Sequence, residues 1–541
     1  MQSTMQDWPL TLQEVLRRGA TLFADSRVVT FQGAGSRTAT YAEVARRSSL
    51  LAAGLRRLGI GPGDRVGTLC WNHQEHLEAY LAVPCMGAVL HTLNLRLSAQ
   101  QLSFVINHGG DRVIIADSGL APLLAAIRPT LGSLERVILV GEGGDSSGLG
   151  EVIGYEELLA GGPPLQDWPE LEERQAAAMC HTTGTTGEPR GVVYSHRSLW
   201  LHSLAVMASF GLSDADRLCV TVPMFHVMAW GTPYAAWSLG ADLLMPDRHM
   251  QPQPLLSFVL QERPTFLGGV PTIFQGLLLA AEAAGADLGF VRMGICGGSA
   301  VPESLMRAYR RWFPLVQAWG MTETSPLGTV ALPPRGMPEE DPAYWHYRSM
   351  TGRPVPGVEL RITGADGEVL PWDGTAVGEI EVRGPWITAS YHGDPAPDRF
   401  HGGWLRTGDV GTVDGRGYVQ ITDRSKDVIK SGGEWISSVE LENHLMAHPA
   451  VLDAAVVGVA DEHWQERPLA VVALRAGMSA TAEDLREHLG SRVPGFWLPD
   501  LWAFVDQIPK TSVGKQDKKV IRRLQAEGSL PVRRLVRVER A

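Results

Sequence analysis

Residues 182–191 read Thr-Thr-Gly-Thr-Thr-Gly-Glu-Pro-Arg-Gly, a loop rich in hydroxyl groups and glycine. Glycines let backbone N–H groups turn inward, hydroxyls add donors, and Arg190 adds a fixed positive charge, so the loop is suited to binding phosphate groups. It is not a Walker A loop, because no Gly-Lys pair lies at the required distance after Gly184 or Gly187. A flexible surface loop is the alternative interpretation.

A second informative stretch lies near the C-terminus. Residues 509–515 read Pro-Lys-Thr-Ser-Val-Gly-Lys, which places Lys515 on a turn of Thr, Ser and Gly. A phosphate-binding loop and a cation that are far apart in the chain indicate two bodies that close on a nucleotide.

Composition narrows the class of protein. With 541 residues, the chain is expected to form two to four units, at about 150 residues per domain. The net charge of -11 argues against nucleic-acid binding, and no apolar run approaches the roughly 18–20 residues of a spanning helix. Residues 1–7 lack the features of a secretory signal. The five scattered cysteines are typical of reduced core residues in a cytosolic protein: Cys70, Cys85, Cys180, Cys219 and Cys296.

Strand and helix patterns alternate along the first part of the chain. Thr40 with Glu43, and Ser98 with Gln101, form capping boxes that predict helix starts. The predicted strands of this part span residues 66–71, 112–117, 218–223, 265–270, 293–296 and 315–319. This alternation predicts an α/β fold of stacked βαβ units, with parallel sheets covered by helices on both faces.

The pattern changes towards the C-terminus. Residues 352–423 contain short strands and Gly-rich turns, which predict a smaller β-rich subdomain. Residues 424–541 form a last α+β unit, with strands predicted at 454–459 and 469–474 and a helix at 482–489.

Three further segments carry candidate site residues. Glu323, flanked by hydroxyls after a predicted strand, could ligate Mg²⁺ on a nucleotide, or its turn could simply cap a helix. Asp409 could accept both ribose hydroxyls, or could form an Asx turn. The charged run 423–430 is consistent with a hinge, because the chain pattern changes there.

Four of these segments occur in the order found in the acyl-adenylate-forming superfamily, which includes acyl-CoA synthetases, beetle luciferases and peptide-synthetase adenylation domains. The resemblance covers nearly the whole chain. Residues 223–230, 194–196 and 431–438 are most similar to bacterial long-chain fatty-acid–CoA ligases. It implies an N-terminal domain at 1–422, a hinge at 423–428 and a mobile C-terminal domain at 429–541.

The resemblance also implies roles for individual residues. The implied catalytic residues are Lys515, Glu323, Thr322 and His226, with Glu323 and Thr182 as Mg²⁺ ligands. The implied ATP- and AMP-binding residues are Thr182, Thr183, Gly184, Thr185, Thr186, Gly187, Arg190, Gly298, Gln317, Gly320, Asp409, Arg424, Lys426 and Lys430. Val227 and Trp230 would line the acyl tunnel, and Gly432, Gly433 and Trp435 would bind coenzyme A. Arg190 departs from the family, which usually has lysine there, so pyrophosphate handling is expected to differ.

The implied reaction joins a medium- or long-chain fatty acid to coenzyme A with ATP. Three alternatives stay open: activation of an aryl or short-chain acid, transfer to a carrier-protein thiol, and a non-catalytic adenylate-binding relative. The last is expected to lack Lys515 or Glu323, and both are present. We expect a cytoplasmic protein with no nucleic-acid partner; a homodimer and peripheral membrane contact are open alternatives. His73 and His76 fit no zinc-protease pattern, and we interpret them as exposed polar residues.

Overall fold

The helices and strands are taken from a computed structural model, which describes residues 1–182, 188–364, 366–424, 427–431, 434–461, 463–511 and 515–535. The α-helices are α1 Leu12–Leu22, α2 Tyr41–Arg57, α3 Gln74–Cys85, α4 Ala99–Gly109, α5 Ala121–Ile127, α6 Tyr155–Ala160, α7 His196–Phe210, α8 Thr232–Leu239, α9 Pro252–Glu262, α10 Pro271–Ala284, α11 Glu303–Tyr309, α12 Tyr344–Ser349, α13 Ser438–Met446, α14 Ala482–Gly490 and α15 Lys518–Ala526.

The strands are β1 Arg27–Phe31, β2 Ser36–Thr40, β3 Arg65–Leu69, β4 Val89–Thr92, β5 Asp111–Asp117, β6 Arg136–Val140, β7 Val152–Gly154, β8 Ala176–His181, β9 Gly191–Ser195, β10 Arg217–Cys219, β11 Asp242–Met245, β12 Phe266–Gly269, β13 Met293–Gly297, β14 Leu315–Gly320, β15 Leu327–Val330, β16 Arg353–Pro354, β17 Glu359–Thr363, β18 Gly378–Arg383, β19 Phe400–His401, β20 Trp404–Val413, β21 Val419–Arg424, β22 Ile429–Ser431, β23 Glu434–Ile436, β24 Val451–Asp461, β25 Gln465–Leu474, β26 Leu501–Phe504 and β27 Arg533–Arg534.

Two large sheets form the first part of the chain. One has seven strands in the order β7-β6-β5-β3-β4-β8-β9, and the other has nine in the order β16-β15-β14-β13-β12-β10-β11-β1-β2. Within the first sheet only the β8–β9 pair is antiparallel. The predicted parallel α/β architecture is therefore confirmed.

Local sequence signals set several helix starts. The side chain of Thr40 accepts a hydrogen bond from the Glu43 backbone, and Glu43 returns one, so the predicted capping box opens α2. The same reciprocal pair between Ser98 and Gln101 opens α4. Both predictions are confirmed. They could be made from the sequence because the two residues of each box are only three positions apart.

The C-terminal part of the chain has sheets of its own. Strands β17, β18, β19, β20 and β21 form an antiparallel five-stranded sheet, which confirms the predicted β-rich subdomain. All strands after residue 428 belong to a separate six-stranded sheet, in which β24 and β25 form a long antiparallel pair. The change of sheet falls within the charged run 423–430.

The prediction that His73 and His76 are exposed is wrong. Their exposed fractions are 4% and 0%, because α3 is buried along its whole length. His73 caps α3 by accepting from the backbone N–H of His76, and its Nε2 atom lies 2.8 Å from the Asp117 carboxylate.

The strand predicted at 218–223 is shorter in the structure, where β10 ends at Cys219. The Asn72 side chain donates hydrogen bonds to the carbonyls of Val220 and Val222, at 2.7 and 2.8 Å, in place of a neighbouring strand. The chain therefore leaves the sheet early. Among the described helices, none is both long and apolar enough to span a membrane.

Candidate active site

A central cleft of about 1590 Å³ lies where the sheets meet. Its walls include residues of the nine-stranded sheet, of the loop that joins β8 and β9 of the seven-stranded sheet, of the β-rich subdomain and of the C-terminal sheet. The predicted site residues that line it are Thr182, Arg190, His226, Val227, Trp230, Gly298, Gln317, Gly320, Thr322, Glu323, Asp409, Arg424 and Lys515. Residues scattered over much of the sequence thus face one space.

The base of the phosphate-binding loop is closed by paired hydrogen bonds. The Thr182 backbone N–H donates to the Arg190 carbonyl at 2.9 Å, and the Arg190 N–H donates to the Thr182 hydroxyl at 3.0 Å. Residues 183–187, which include the predicted contacts Thr183 to Gly187, lie outside the described residues.

Glu323 sits on a short turn after β14. Its side chain is only 6% exposed, and its Oε1 atom accepts a hydrogen bond from the Tyr391 hydroxyl at 2.7 Å. The Thr322 carbonyl accepts from the Tyr194 hydroxyl at 2.8 Å. At Gly320 a Cβ atom would lie 1.5 Å from the Pro326 carbonyl oxygen, so the turn requires glycine there.

The oxygen donors near this turn suit Mg²⁺. The ion prefers hard oxygen ligands and usually binds through one or two carboxylates plus substrate phosphates. Glu323 supplies a carboxylate at the cleft wall, and Thr182 supplies a hydroxyl at the loop base. The residues present therefore fit the ion that the sequence predicts.

Asp409 and Arg424 face each other across neighbouring antiparallel strands. The Arg424 guanidinium lies 3.0 Å from one Asp409 oxygen, and the Trp319 indole N–H donates to the other at 2.9 Å. Asp409 is 3% exposed and lies within β20, so the Asx-turn interpretation is wrong. A fixed carboxylate at the cleft wall can accept hydrogen bonds from ribose hydroxyls.

The C-terminal sheet brings Lys515 into the cleft. The turn is closed by a hydrogen bond of 2.6 Å from the Thr511 N–H to the Lys515 carbonyl. A Cβ atom added to Gly298 would lie 3.6 Å from the Cε atom of Lys515. Gly298 directly follows β13 of the nine-stranded sheet. Lys515 of the last unit therefore faces the same cleft as Gly298, Asp409 and Glu323.

The surroundings of Lys515 change its acidity. Burial and the Arg424 guanidinium lower the pKa of Lys515 to about 8. The carboxylates of Asp409 and Glu323 act in the opposite direction. The amine is thus cationic at neutral pH and neutral in alkaline solution.

The lowered pKa of Lys515 predicts that the activity decreases at alkaline pH. If the ammonium form offsets phosphate charge, as the resemblance implies, kcat/KM for ATP is expected to fall as the pH rises through about 8. The profile is measured as acid-dependent pyrophosphate release. Lys515→Arg is the control, since its guanidinium stays charged; a decline at the same pH in that variant would show that another group titrates.

Gln317 holds a neighbouring loop in place. Its Oε1 atom accepts from the Val301 N–H at 2.7 Å, and its Nε2 donates to the Met350 carbonyl at 3.0 Å. The backbone of Gly298 has a φ of +85°, which favours glycine. Gln317 therefore shapes the wall beside Gly298 through backbone contacts.

The predicted acyl-site segment has an uncommon backbone. Val227, Met228, Ala229 and Trp230 all have positive φ, between 46° and 57°. This left-handed turn costs on the order of 1–2 kcal/mol per residue, and such strain concentrates at functional sites. The Trp230 ring lies against Gly297, where a Cβ atom would be 3.4 Å from its edge.

Apolar side chains also line the cleft. They are Val206, Phe210, Val270, Ile295 and Leu327. Burial and the nearby Lys515 charge lower the pKa of His226 to about 3, so its imidazole is neutral at physiological pH. A cleft lined by apolar side chains and a neutral imidazole can accept the chain of an organic acid.

One described residue among the predicted contacts, Lys430, does not line the cleft. It is exposed on β22. Lys426, Gly432 and Gly433 lie outside the described residues; at Trp435 only the backbone is described, paired with Lys430 in β23 and β22.

Sequence reasoning missed Tyr391. Besides its hydrogen bond to Glu323, its ring stacks under the Arg190 guanidinium, whose central carbon lies 5.0 Å from the ring centroid. Arg190 also lies 3.9 Å from the Asp394 carboxylate. No local pattern around Tyr391 indicates this role, because its partners come from distant segments.

The chain belongs to the AMP-binding enzyme family. The family model "AMP-binding enzyme" matches residues 16–392, and the model "AMP-binding enzyme C-terminal domain" matches residues 440–515.

Similar proteins cover almost the full length. A long-chain-fatty-acid–CoA ligase of Thermus thermophilus is 45% identical, over 96% of this chain and 96% of its own. A 3-methylmercaptopropionyl-CoA ligase of Ruegeria lacuscaerulensis is 40% identical, over 96% and 98%. The crystal structure of the anthranilate CoA ligase AuaEII, in complex with anthranoyl-AMP, has a TM-score of 0.87 at 24% identity, covering 97% of this chain and 100% of that one; it shares the fold.

Proposed function

We propose that the protein is an ATP-dependent fatty-acid–CoA ligase that acts on a medium- or long-chain acid through an acyl-adenylate. The observation that carries this proposal is the position of Lys515, which reaches a cleft that Glu323 and Asp409 also line. The similarity to a long-chain-fatty-acid–CoA ligase supports the fatty acid as substrate.

The first step forms the adenylate. A carboxylate oxygen of the acid attacks the α-phosphorus of ATP, and the bond to pyrophosphate breaks. The acid is already a nucleophile, so the protein must mainly align the reactants and offset charge on the phosphorus. Asp409 would hold the ribose, and the ammonium group of Lys515 would stabilise the α-phosphate in the transition state. Bound Mg²⁺, held by Glu323 with Thr182, would neutralise phosphate charge.

The second step forms the thioester. The coenzyme A sulfur bonds to the acyl carbon, AMP leaves with the electrons of the broken C–O bond, and the thiol proton is released. Lys515 would obstruct the pantetheine arm, so we propose that residues 429–541 swing about the hinge 423–428 between steps. In the conformation described, Asp423 accepts a hydrogen bond from the Ser438 N–H at 2.8 Å, next to this hinge.

A second candidate is the activation of a short acid. It is favoured by the 40% identity to a 3-methylmercaptopropionyl-CoA ligase. Both candidates predict the same adenylation chemistry and differ in the acid.

The test is pyrophosphate release with a panel of acids from short to long, with and without coenzyme A, followed by mass analysis of the thioester. We expect turnover with coenzyme A and highest kcat/KM for medium or long chains. A preference for short acids would favour the second candidate; no adenylation of any acid would overturn the proposal.

The position of Trp230 on the strained turn predicts that its side chain affects the KM for the acid. Trp230→Ala is expected to change the KM for fatty acid about tenfold, with little effect on the KM for ATP. The reason is that one large side chain would be removed from the apolar lining of the cleft. Trp237→Phe, in a fully buried tryptophan outside the cleft lining, is the control for packing. Equal effects on both substrates with a lowered melting temperature would identify Trp230 as ordinary core.

A reducing compartment suits the chain, since all five cysteines are buried free thiols. This supports a cytoplasmic location. The homodimer stays a prediction that sedimentation analysis would test.

A further inference from the structure

A line of hydrogen-bonded histidines runs from the protein interior to the base of the phosphate-binding loop. His91 Nδ1 lies 2.9 Å from both oxygens of Asp111, and His91 Nε2 lies 2.9 Å from Nδ1 of His181. His181 Nε2 lies 3.0 Å from Nδ1 of His108, in the last turn of α4. Asp111 and His91 are fully buried, and His181 is 9% exposed.

The Asp111 carboxylate determines which imidazole nitrogens in this line donate and which accept. An ionised carboxylate only accepts hydrogen bonds, and a neutral imidazole has one donor and one acceptor nitrogen. With a neutral His91, Nδ1 donates to Asp111 and Nε2 is left as an acceptor. His181 Nδ1 must then donate to His91, and His181 Nε2 must accept from His108.

Burial and charged neighbours act on the Asp111 carboxylate in opposite directions. Burial raises the pKa of Asp111, and His91 and Arg65 oppose this effect. The contact of His91 Nδ1 with both carboxylate oxygens is the geometry of a donor to a carboxylate.

His181 lies directly before the phosphate-binding loop in the chain. It is the last residue of β8, directly before Thr182, and it pairs in register with Gly191, the first residue of β9. A Cβ atom on Gly191 would lie 3.2 Å from His181 Nε2 and 3.1 Å from His392 Cβ. The two residues that flank the loop are thus packed against imidazoles.

We propose that His181 is a positioning residue for the phosphate-binding loop, and that Asp111, acting through His91, fixes the hydrogen-bonding direction of its ring. The inference rests on the proposed function, in which this loop binds the ATP phosphates. Since the loop is needed to hold the β- and γ-phosphates, its misplacement is expected to affect adenylation and not the thioester step.

The first experiment compares His181→Phe, which keeps a ring but removes both hydrogen bonds, with His181→Gln, which keeps one donor and one acceptor. For His181→Phe we expect about a tenfold rise in the KM for ATP, the size expected for losing one or two hydrogen bonds. Conversion of supplied acyl-adenylate and coenzyme A to thioester should stay within twofold of the wild type, and His181→Gln should recover most of the ATP affinity.

Equal loss in both half-reactions would show that His181 is only structural, and failure of His181→Gln to recover affinity would show that hydrogen bonding is not the cause. Calorimetric binding of Mg–ATP without acid provides a readout that does not depend on the acid. If wild-type protein adenylates no acid but His181→Phe still weakens nucleotide binding relative to His181→Gln, the proposed function fails and this inference stands.

The second experiment tests Asp111. In protein labelled with ¹⁵N-histidine, the ring nitrogen shifts of His181 are identified by their loss in His181→Gln. We expect a single tautomer with the proton on Nδ1 in the wild type. Asp111→Asn can donate as well as accept, so both tautomers should appear. A single unchanged Nδ1–H tautomer in Asp111→Asn would overturn the role of Asp111.

Discussion

Lys515→Ala is expected to abolish acyl-adenylate formation while the variant still converts supplied acyl-adenylate and coenzyme A to the thioester. Lys515 lies in the cleft with Asp409 and Glu323 nearby, where adenylation would build negative charge on the α-phosphorus. Removing a preorganised cation from such a site costs roughly a hundredfold to a thousandfold in rate. The thioester step is expected to depend less on Lys515, because the thiol attacks the acyl carbon and not the phosphorus.

The two half-reactions are measured separately, as pyrophosphate release and as thioester formation from synthetic acyl-adenylate. Trp435→Ala is the matched variant and is expected to do the reverse, impairing the thioester step more than adenylation. If Lys515→Ala slows both steps alike, alternation of the C-terminal unit is the wrong account of this enzyme.

Glu323→Gln is expected to lower adenylation by at least about a hundredfold, as for the loss of a preorganised charge contact. Glutamine keeps the size of the side chain and can still accept the hydrogen bond from the Tyr391 hydroxyl, which spans 2.7 Å in the wild type. The turn should therefore persist while the negative charge that binds Mg²⁺ is lost. The measurement is pyrophosphate release as a function of Mg²⁺ concentration.

Tyr391→Phe is the control for this variant. It removes the hydrogen bond to Glu323 but keeps the ring beneath Arg190, so a smaller loss of activity is expected. Near-normal turnover of Glu323→Gln at saturating Mg²⁺ would show that Glu323 only supports its turn.

Much of the fold could be predicted because its signals are local. Thr40 and Glu43 are three residues apart, and each accepts a hydrogen bond from a backbone N–H at the start of α2. The alternation of strands and helices likewise predicts parallel sheets without knowledge of distant contacts. By contrast, the sequence gives no sign that His73 is buried, because its partner Asp117 ends β5, 44 positions away.

For the site, the sequence by itself determined which residue types are available: the Thr/Gly loop, the Glu323 turn, Asp409 and Lys515. Only the tertiary structure decided that Tyr391 holds Glu323, that Trp319 and Arg424 hold Asp409, and that His91 and His108 flank His181. The physical reason is that hydrogen bonds and packing act over a few ångströms in space. Residues far apart in the chain meet only where the sheets bring their side chains to the same cleft.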